Sequence, residues 1–441
     1  MISSVVYLCF AIVHVSCPFY EHLTWAKNTG SGQVGSVGKT GKAARLIPVI
    51  ATRHPLPDLV RAFALFGIAV VNVDFFAHAS FRGVIDTGWD SPTDRILGWT
   101  VATVFLFKSY SLFSLMFGVG VHQQILASDP LKANFAGRYS RRMLGLLLLG
   151  FLNITLLFYG DILVVYSLLG TLLLLFRNFE GAKLRRWAIG IYLLQITLAV
   201  LIAASTWSLT LVGAETVLQE TNAAAAADAA KRLAGFSDPR FLTVAATRLD
   251  AWTSDFAFMI ALQGTGALAF MLYGLYLARS GLLLDTNSPR WSRARRVDLP
   301  IGLILAATGG WLMLGSSSEL DPPFMTGIAL ITLGSPFSTM GYLGLMAAWT
   351  QRPDSALRTG LIRAGGASLT AYLMQGLLMS LIFSGYGLGA IGKLNAASYI
   401  PIGVAVALVS LVFCAEWRRR YRLGPVESVL RRWVYLGKDG T

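Results

Sequence analysis

The segment 142–177 reads RMLGLLLLGFLNITLLFYGDILVVYSLLGTLLLLFR and decides the fold class. It consists of two apolar runs, 142–159 and 161–177, that meet at Gly160-Asp161. About 20 apolar helical residues are needed to cross a bilayer core of about 30 Å. Because Gly and Asp favour turns, the pattern predicts two membrane-crossing helices joined in a tight hairpin rather than one very long helix.

Eight further apolar segments flank this hairpin, so ten spans are predicted in all. They are 59–78, 98–121, 187–213, 255–278, 299–316, 323–349, 366–386 and 397–416. Of the 441 residues 55% are hydrophobic and 14% are charged, whereas soluble proteins carry about 25% charged residues. The sequence therefore predicts an all-α, polytopic transmembrane helix bundle, formed by one domain over 53–441 and without a soluble catalytic domain.

Basic residues are concentrated in alternate loops. Of the 37 Lys and Arg residues, 29 lie in six sections: 20–61, 122–142, 177–186, 279–298, 350–365 and 417–441. Cytoplasmic loops are enriched in Lys and Arg, so these sections, including the basic tail 417–441 and both termini, are predicted to be cytoplasmic. The same rule explains the net charge of +14 without a nucleic-acid partner. The partners expected from composition are membrane lipids.

Two segments require a separate interpretation. Residues 1–52 contain an apolar stretch, 2–19, and a Gly-rich flexible linker, 28–42. This extension is either an extra span or upstream sequence from a misplaced start, and both interpretations stay open. The segment 214–250 is rich in Ala and charged residues, which favours helix without a broad apolar stripe. We expect this outer, amphipathic segment to form a short helix on the outer surface, unless it is a solvated connector.

Lys108 is the most informative polar residue within a predicted span. A charged side chain near the middle of a membrane helix costs about 2.5–3.5 kcal/mol, and Lys108 lies too deep for its ammonium to reach the interface. It therefore requires either a carboxylate or a polar cavity. Two interpretations follow: a buried ion pair with Asp74 or Asp161, or a positive group that lines a ligand cavity.

Two further pairs of polar residues share a helix face. Asp74 and His78 are one turn apart, and a carboxylate in this position can hold the tautomer of an imidazole that acts as a general base. The alternative is an ordinary interfacial histidine. Tyr372 and Gln375 either bind a substrate or only hydrogen-bond to neighbouring helices. The three cysteines are scattered, and no metal site is predicted.

Five motifs within residues 57–437 carry a family resemblance. They are Pro57-Asp58-Leu59-Val60-Arg61, Lys108-Ser109-Tyr110-Ser111-Leu112-Phe113-Ser114-Leu115-Met116-Phe117-Gly118-Val119-Gly120, Gly160-Asp161-Ile162-Leu163, Ser368-Leu369-Thr370-Ala371-Tyr372-Leu373-Met374-Gln375 and Gly424-Pro425-Val426-Glu427. In this order they resemble the YeiB-like family of bacterial polytopic membrane proteins, domain of unknown function 418. The resemblance implies a location in the bacterial inner (plasma) membrane.

The YeiB-like family in turn resembles transmembrane acyltransferases, which move an acyl group from cytoplasmic acyl-CoA to an acceptor on the far side. His78-Ala79-Ser80 is similar to an active-site His-Ala-Ser of that group. The family usually has His where this chain has Asn153. Because Asn cannot exchange protons, any proton-transfer role at this position is lost or moved.

The leading hypothesis is a transmembrane acyltransferase with acyl-CoA as its co-substrate and a small molecule, glycan or lipid as acceptor. The candidate catalytic residues are His78, Asp74 and Asp161. Candidate substrate-binding residues are Lys108, Asn153, Tyr372 and Gln375, of which Lys108 or Asn153 would polarise the thioester carbonyl. Candidate ligands for the acyl-CoA phosphates are Lys132, Arg138, Arg141 and Arg142. One polar cavity between the first, second and hairpin spans should hold His78, Asp74, Lys108 and Asp161.

The alternative is a small-molecule transporter or exporter that uses Lys108, Asp74 and Asp161 as a charge relay. Transporters often contain internal repeats with broken helices in corresponding positions. No half-to-half repeat is visible here, which favours the enzyme. A non-catalytic membrane protein is a second alternative, and the sequence predicts no particular oligomeric state.

The predicted topology can be tested by labelling single cysteines from outside intact cells, after the native cysteines have been replaced. Loops expected in the cytoplasm should be protected from a membrane-impermeant maleimide, at Arg141, Arg185, Arg295 and Arg358. Loops expected outside should be labelled, at Asp90, Lys231 and Glu319. Labelling at 295 without labelling at 231 would contradict the predicted topology.

Overall fold

The structure is a computed structural model that describes residues 54–78, 91–128, 135–213, 215–316 and 320–436. These residues form helices and turns, with no β-strand among them, so the predicted all-α fold is confirmed. The extension 1–52, with its apolar stretch and linker, lies outside the described residues.

The α-helices of the described residues are numbered here in chain order. They are α1 Pro55–His78, α2 Pro92–Val104, α3 Lys108–Ser128, α4 Phe135–Leu156, α5 Leu163–Leu173, α6 Gly181–Leu211, α7 Glu215–Phe236, α8 Phe241–Met259, α9 Thr265–Arg279, α10 Pro289–Arg293, α11 Leu299–Leu314, α12 Pro322–Thr350, α13 Ala356–Gly365, α14 Ser368–Phe383, α15 Ala396–Arg420 and α16 Pro425–Val434. A 3₁₀ turn, Leu174–Phe176, extends α5. Two π turns, Ile260–Gly264 and Ala294–Asp298, join α8 to α9 and α10 to α11.

Within the described residues, seven helical segments are long and apolar enough to cross a membrane. They are Pro55–His78, Pro92–Ala127, Gly181–Leu211, Phe241–Arg279, Pro289–Leu314, Pro322–Thr350 and Ala396–Arg420. The predicted span 366–386 belongs to a broken pair, because α13 and α14 meet at 87°. The polytopic helix bundle is therefore confirmed. The number of ten spans and the cytoplasmic position of both termini stay predictions.

The predicted hairpin is formed by α4 and α5, which pack against each other across the turn 157–162. Neither arm is among the seven long apolar segments. Arg141, Arg142 and Asn153 make α4 more polar than a regular span, and the apolar helix Leu163–Phe176 is short. The hairpin is thus present, but its arms differ from ordinary membrane-crossing helices.

The segment 214–250 is divided between two helices. Most of it forms α7, which is largely exposed, and its last ten residues begin α8. Ion pairs tie the two helices together: Lys231 Nζ lies 3.0 Å from Asp250 Oδ2, and Arg232 Nη1 lies 2.7 Å from Asp255 Oδ2. The helix predicted for this segment therefore corresponds to α7.

The helix α1 is the most buried of the seven segments and packs against α3, α13 and α15. A helix that is apolar on all sides belongs in the interior of a bundle. Near its start, Asp58 Oδ1 accepts a hydrogen bond from Arg61 Nη1 at 2.7 Å. Gly365 packs directly on this turn, since a Cβ atom added there would lie 1.8 Å from Asp58 O. The first motif thus forms the surface against which α13 packs.

The helices α3 and α9 approach each other at two glycines. A Cβ atom at Gly118 would lie 1.9 Å from Met271 O, and one at Gly274 would lie 2.0 Å from Leu115 O. Small residues at such crossings allow the backbones of membrane helices to come close. The Gly118 position of the second motif therefore has a packing role.

The carboxyl-terminal tail caps the start of α14. Glu427 Oε1 accepts hydrogen bonds from Leu369 N at 2.7 Å and Thr370 N at 3.2 Å, and Glu427 Oε2 accepts one from Thr370 Oγ1 at 2.6 Å. The first N–H groups of a helix have no partner within it, and an anion there is stabilised by the helix dipole. A Cβ atom at Gly424 would lie 2.1 Å from Glu427 Oε2, so the last motif forms a compact cap.

We expect Glu427→Ala to lower the free energy of unfolding by about 1–3 kcal/mol, because it leaves two buried N–H groups without a partner. Glu416→Ala is the matched control. It removes an exposed ion pair with Arg419, which is worth no more than about 1 kcal/mol. Thermal unfolding of both variants in the same detergent measures the difference, and equal losses would contradict the capping role.

Candidate functional site

A cavity of about 110 Å³ lies where α1, the α2–α3 junction, the hairpin turn, α8 and α14 meet. Its aromatic lining includes Phe75, Phe105, Phe107, Phe158, Tyr159 and Trp252. Its polar lining includes Asn72, Ser109, Tyr110, Asp255, Gln263 and Tyr372. A concave site with apolar walls and a few polar groups is typical of small-molecule binding. The cavity borders the first, second and hairpin spans, where the sequence predicted one, but its lining is mainly apolar and not polar as predicted.

Three interruptions of regular helix border this cavity. The α2–α3 junction at 105–107 breaks the second predicted span, and Phe107 has φ 61° in the left-handed region. The hairpin turn and the π turn Ile260–Gly264 supply the other two. Irregular backbone at membrane depth is tolerated where it is buried in protein or lines a cavity, and π turns are frequent at functional sites. The presence of three irregular segments around one cavity favours a binding function for it.

Lys108 is fully buried at the start of α3, where its Nζ donates a hydrogen bond to Ala102 O at 2.9 Å. Among the described residues no carboxylate lies within 4.0 Å of it, so the predicted ion pair with Asp74 or Asp161 is wrong for this part of the chain. The carbonyl groups at the end of α2 provide the negative partner instead, because the helix dipole places partial negative charge there. Lys108 therefore caps the broken span.

Asp161 is fully buried at the hairpin turn and accepts three hydrogen bonds. Its Oδ1 accepts from Asn153 Nδ2 at 2.8 Å and from Tyr372 OH at 3.3 Å, and its Oδ2 accepts from Val164 N at 2.9 Å. No Lys or Arg of the described chain forms a salt bridge with it. Neutral donors from α4, α5 and α14 thus satisfy this carboxylate.

A second, smaller cavity of about 10 Å³ brings together three predicted substrate-binding residues. Asn153, Tyr372 and Gln375 line it, and it shares Asn72, Phe158 and Tyr372 with the larger cavity. Asn153 Oδ1 and Gln375 Oε1 are buried and have no hydrogen-bond partner within the described structure. The polar residues of α4 and α14 therefore meet at one place, which their positions in the sequence did not reveal.

The Asp74–His78 pair is present as the spacing predicted, with His78 Nδ1 3.1 Å from Asp74 Oδ1. Both side chains are less than a tenth exposed, and the imidazole ring lies nearly perpendicular to the ring of Tyr399 at a centroid distance of 5.1 Å. His78 shares its face of α1 with Val71 and Phe75, which line the larger cavity. The pair therefore lies one turn beyond the lining residues of α1.

The predicted grouping of four residues in one cavity needs correction. The described lining of the two cavities does not include His78, Asp74, Lys108 or Asp161. Lys108 turns to the end of α2, and Asp161 lies behind Asn153 and Tyr372. The carbonyl groups at the end of α2 compensate Lys108, and neutral hydrogen-bond donors compensate Asp161. The two residues therefore do not require each other as ion-pair partners. Ala79 and Ser80 of the predicted His-Ala-Ser motif lie outside the described residues.

Two of the three arginines predicted to attract acyl-CoA contact the carboxyl-terminal tail. Arg138 lies 4.9 Å from the ring centroid of Tyr435, and Arg141 Nη1 donates to Leu436 O at 2.6 Å. Arg142 lies over the ring of Phe117 at 5.5 Å. The fourth predicted residue, Lys132, lies outside the described residues. Arg138 and Arg141 thus hold the tail against α4, whereas Arg142 joins α4 to α3.

Several cavity residues were not predicted as site residues. The sequence signal that could have identified three of them is a polar residue within a predicted span: Asn72, Asp255 and Gln263. Asp255 accepts two hydrogen bonds from Arg232 of α7, at 2.7 and 2.9 Å. These bonds raise the pKa of the Arg232 guanidinium above its usual value. This pair is one of two that attach α7 to α8 beside the cavity, and the sequence carries no marker for it.

We expect Asp161→Asn to destabilise the protein by about 1–3 kcal/mol, because it replaces an acceptor oxygen by a donor and leaves one buried donor unpaired. Asp250→Asn is the control, since its exposed pair with Lys231 contributes no more than about 1 kcal/mol. Unfolding midpoints in detergent compare the two variants. An Asp161→Asn protein as stable as the control would refute the role of this carboxylate.

Comparison with known proteins supports the family resemblance. Residues 277–437 match the family described as protein of unknown function (DUF418). The uncharacterized protein YxaH of Bacillus subtilis (strain 168) is 27% identical over 396 residues, which cover 86% of this chain and 93% of YxaH. The uncharacterized protein YeiB of Escherichia coli (strain K12) is 28% identical over 398 residues, covering 86% of this chain and 96% of YeiB. No solved structure matches the chain. The resemblance inferred from the motifs is thus confirmed: the chain is similar to uncharacterized proteins of the DUF418 group over most of its length, and its residues 277–437 match the family itself.

Proposed function

We propose that this protein is a transmembrane acyltransferase of the bacterial plasma membrane, with both termini in the cytoplasm, in which the Asp74–His78 pair is the general base. The observation that carries the proposal is the buried hydrogen bond of 3.1 Å between His78 Nδ1 and Asp74 Oδ1. A carboxylate in this position keeps the proton on Nδ1 and leaves Nε2 as the basic nitrogen. This arrangement suits an imidazole that accepts a proton from a substrate.

In the proposed reaction, His78 Nε2 removes the proton of an acceptor hydroxyl or amine as its oxygen or nitrogen attacks the thioester carbonyl of acyl-CoA. The new acyl bond forms, the carbon–sulfur bond breaks, and the CoA thiolate takes up a proton as it leaves. Asp74 stabilises the imidazolium during the transfer. The aromatic walls beside the histidine would hold a short acyl chain or the apolar part of the acceptor.

The donor would approach from the predicted cytoplasmic side. Lys132, Arg138, Arg141 and Arg142 remain the proposed attractors of the acyl-CoA phosphates. Because three of these arginines contact the tail or α3, phosphate binding there would compete with existing contacts. Donor binding and the docking of α16 would then be linked.

A second candidate function is transport of a small molecule. One observation favours it: three interruptions of regular helix border the same cavity, and broken helices form the substrate sites of many transporters. The charge relay suggested for Lys108, Asp74 and Asp161 gains no support, since Lys108 has no carboxylate partner among the described residues. A transporter would need neither acyl-CoA nor the basicity of His78.

Membrane vesicles that contain the full-length protein should transfer label from radioactive acetyl-CoA to a membrane or periplasmic acceptor fraction. His78→Ala and Asp74→Asn should each lower the transfer rate by about 10²- to 10⁴-fold, the usual contribution of a general base. His122→Ala, which alters a partly buried histidine on α3, is the matched control and should retain the rate.

Normal folding of each variant is checked by its unfolding midpoint. A His78→Ala protein that folds and transfers label at the wild-type rate would end the catalytic proposal. Uptake of a labelled metabolite by vesicles without acyl-CoA, unaffected by His78→Ala, would support the transporter instead.

A further inference from the structure

We infer that the smaller cavity is a recognition site for a primary ammonium group, and that the ligand of the larger cavity carries such a group at one end. The inference goes beyond acyl transfer, because it concerns what the bundle binds and holds for an enzyme or a transporter. It starts from two oxygens, Asn153 Oδ1 and Gln375 Oε1. Both are buried and unpaired within the described structure, and both residues line the cavity.

The orientation of both side-chain amides is determined by their neighbours. Asn153 Nδ2 donates to the carboxylate of Asp161 at 2.8 Å, and Gln375 Nε2 donates to Leu65 O at 3.3 Å and to Ser410 Oγ at 3.1 Å. A carboxylate and a carbonyl only accept hydrogen bonds. Turning either amide over would set oxygen against oxygen, so the unpaired atoms are both acceptors. A ligand group that satisfies them must be a donor.

The size of the cavity restricts this group further. About 10 Å³ is the space that one water-sized group requires. A primary ammonium has this size and carries three donors, whereas a trimethylated ammonium is larger and has none. Gly376 borders the space, since a Cβ atom there would lie 3.4 Å from Asn153 Oδ1. The cavity therefore admits the head of a molecule and excludes its body.

Charge favours a cation over a hydroxyl. Asp161 lies behind the cavity and accepts hydrogen bonds from Asn153 and Tyr372, two of the lining residues. No Lys or Arg of the described chain forms a salt bridge with Asp161. A donor that bonds to a carboxylate becomes a stronger acceptor at its other end, so Asn153 Oδ1 is polarised toward a positive group.

The rest of the ligand has a place in the larger cavity. The two cavities share Asn72, Phe158 and Tyr372, and the larger one is walled by aromatic rings. Aromatic faces attract cations as well as apolar groups. The ligand class is thus an amphiphilic primary amine, with its ammonium at Asn153 and Gln375 and its apolar part among the rings.

An unpaired buried oxygen does not mark a site by itself. Gln195 Oε1 is also buried and unpaired among the described residues, but a Cβ atom at Gly266 would lie 2.2 Å from it. It therefore packs against α9, and Gln195 lines neither cavity. This residue supplies a control that matches Gln375 in type and burial.

The experiment follows the thermal unfolding of the full-length protein in detergent at pH 7 with n-butylammonium, butan-1-ol or n-butyltrimethylammonium. A ligand that binds the folded state raises the unfolding midpoint in a saturable way. We expect a saturable rise with n-butylammonium, weaker binding of butan-1-ol and no saturable rise with n-butyltrimethylammonium. Equal binding of either comparison compound would overturn the assignment to a primary ammonium. No acyl donor is present, so the result stands apart from the transfer assay.

Variants locate the binding site. Gln375→Leu should weaken n-butylammonium binding by about tenfold or more, since a charge-assisted hydrogen bond is lost, whereas Gln195→Leu should retain it. If Gln375→Leu fails to fold, Gly376→Ala carries the test, because its methyl group fills the cavity at ordinary contact distance from its neighbours. Gly190→Ala, with nothing within 4 Å, is its control. Wild-type binding in both Gln375→Leu and Gly376→Ala, or in Gly376→Ala alone where Gln375→Leu does not fold, would overturn the inference.

Discussion

The carboxylate of Asp161 is the constraint on which the architecture around the site depends. A charge removed from water must be compensated by nearby dipoles or ions. Asp161 obtains this compensation from α4 through Asn153, from α5 through Val164 N and from α14 through Tyr372. These contacts hold the hairpin turn against α14 and orient the amide of Asn153. The position of the hairpin turn, which contributes to the lining of both cavities, therefore depends on one buried carboxyl group.

The break between α2 and α3 shows how a polar group can be accommodated at depth without a counter-ion. A helix end exposes carbonyl groups and partial negative charge, and Lys108 uses one of them, Ala102 O, at 2.9 Å. The neighbouring Val104 O accepts from Tyr342 OH at 2.9 Å. The carbonyl groups left unpaired by the irregular backbone thus accept hydrogen bonds from polar side chains. The larger cavity forms where the regular helix is interrupted.

The helices could be predicted from the sequence, because runs of apolar residues must be buried in lipid or protein wherever they fall in the chain. The Asp74–His78 pair was equally accessible, since the helical repeat places residues four apart on one face. The break at 105–107 was not predictable, because neither Gly nor Pro marks it and Phe107 adopts a positive φ. The predicted carboxylate partner of Lys108 was wrong for the same reason. Charged residues can be read from the sequence, whereas the backbone carbonyl that accepts the hydrogen bond from Lys108 is available only because the helix breaks there. The hydrogen bond from Arg141 to Leu436, 295 residues away, was also not predictable, because it joins residues that meet only in the folded chain.

The cap of α14 has a consequence for the order of assembly. Leu369 and Thr370 receive their acceptor from Glu427, 58 and 57 residues later in the chain. During synthesis, α14 leaves the ribosome long before its amino-terminal N–H groups can be satisfied. The sharp corner between α13 and α14 must therefore remain open to water, or to a chaperone, until α15 has been made and α16 can fold back. Capping of α14 is therefore a late step in folding, because it can occur only after α16 has been synthesised.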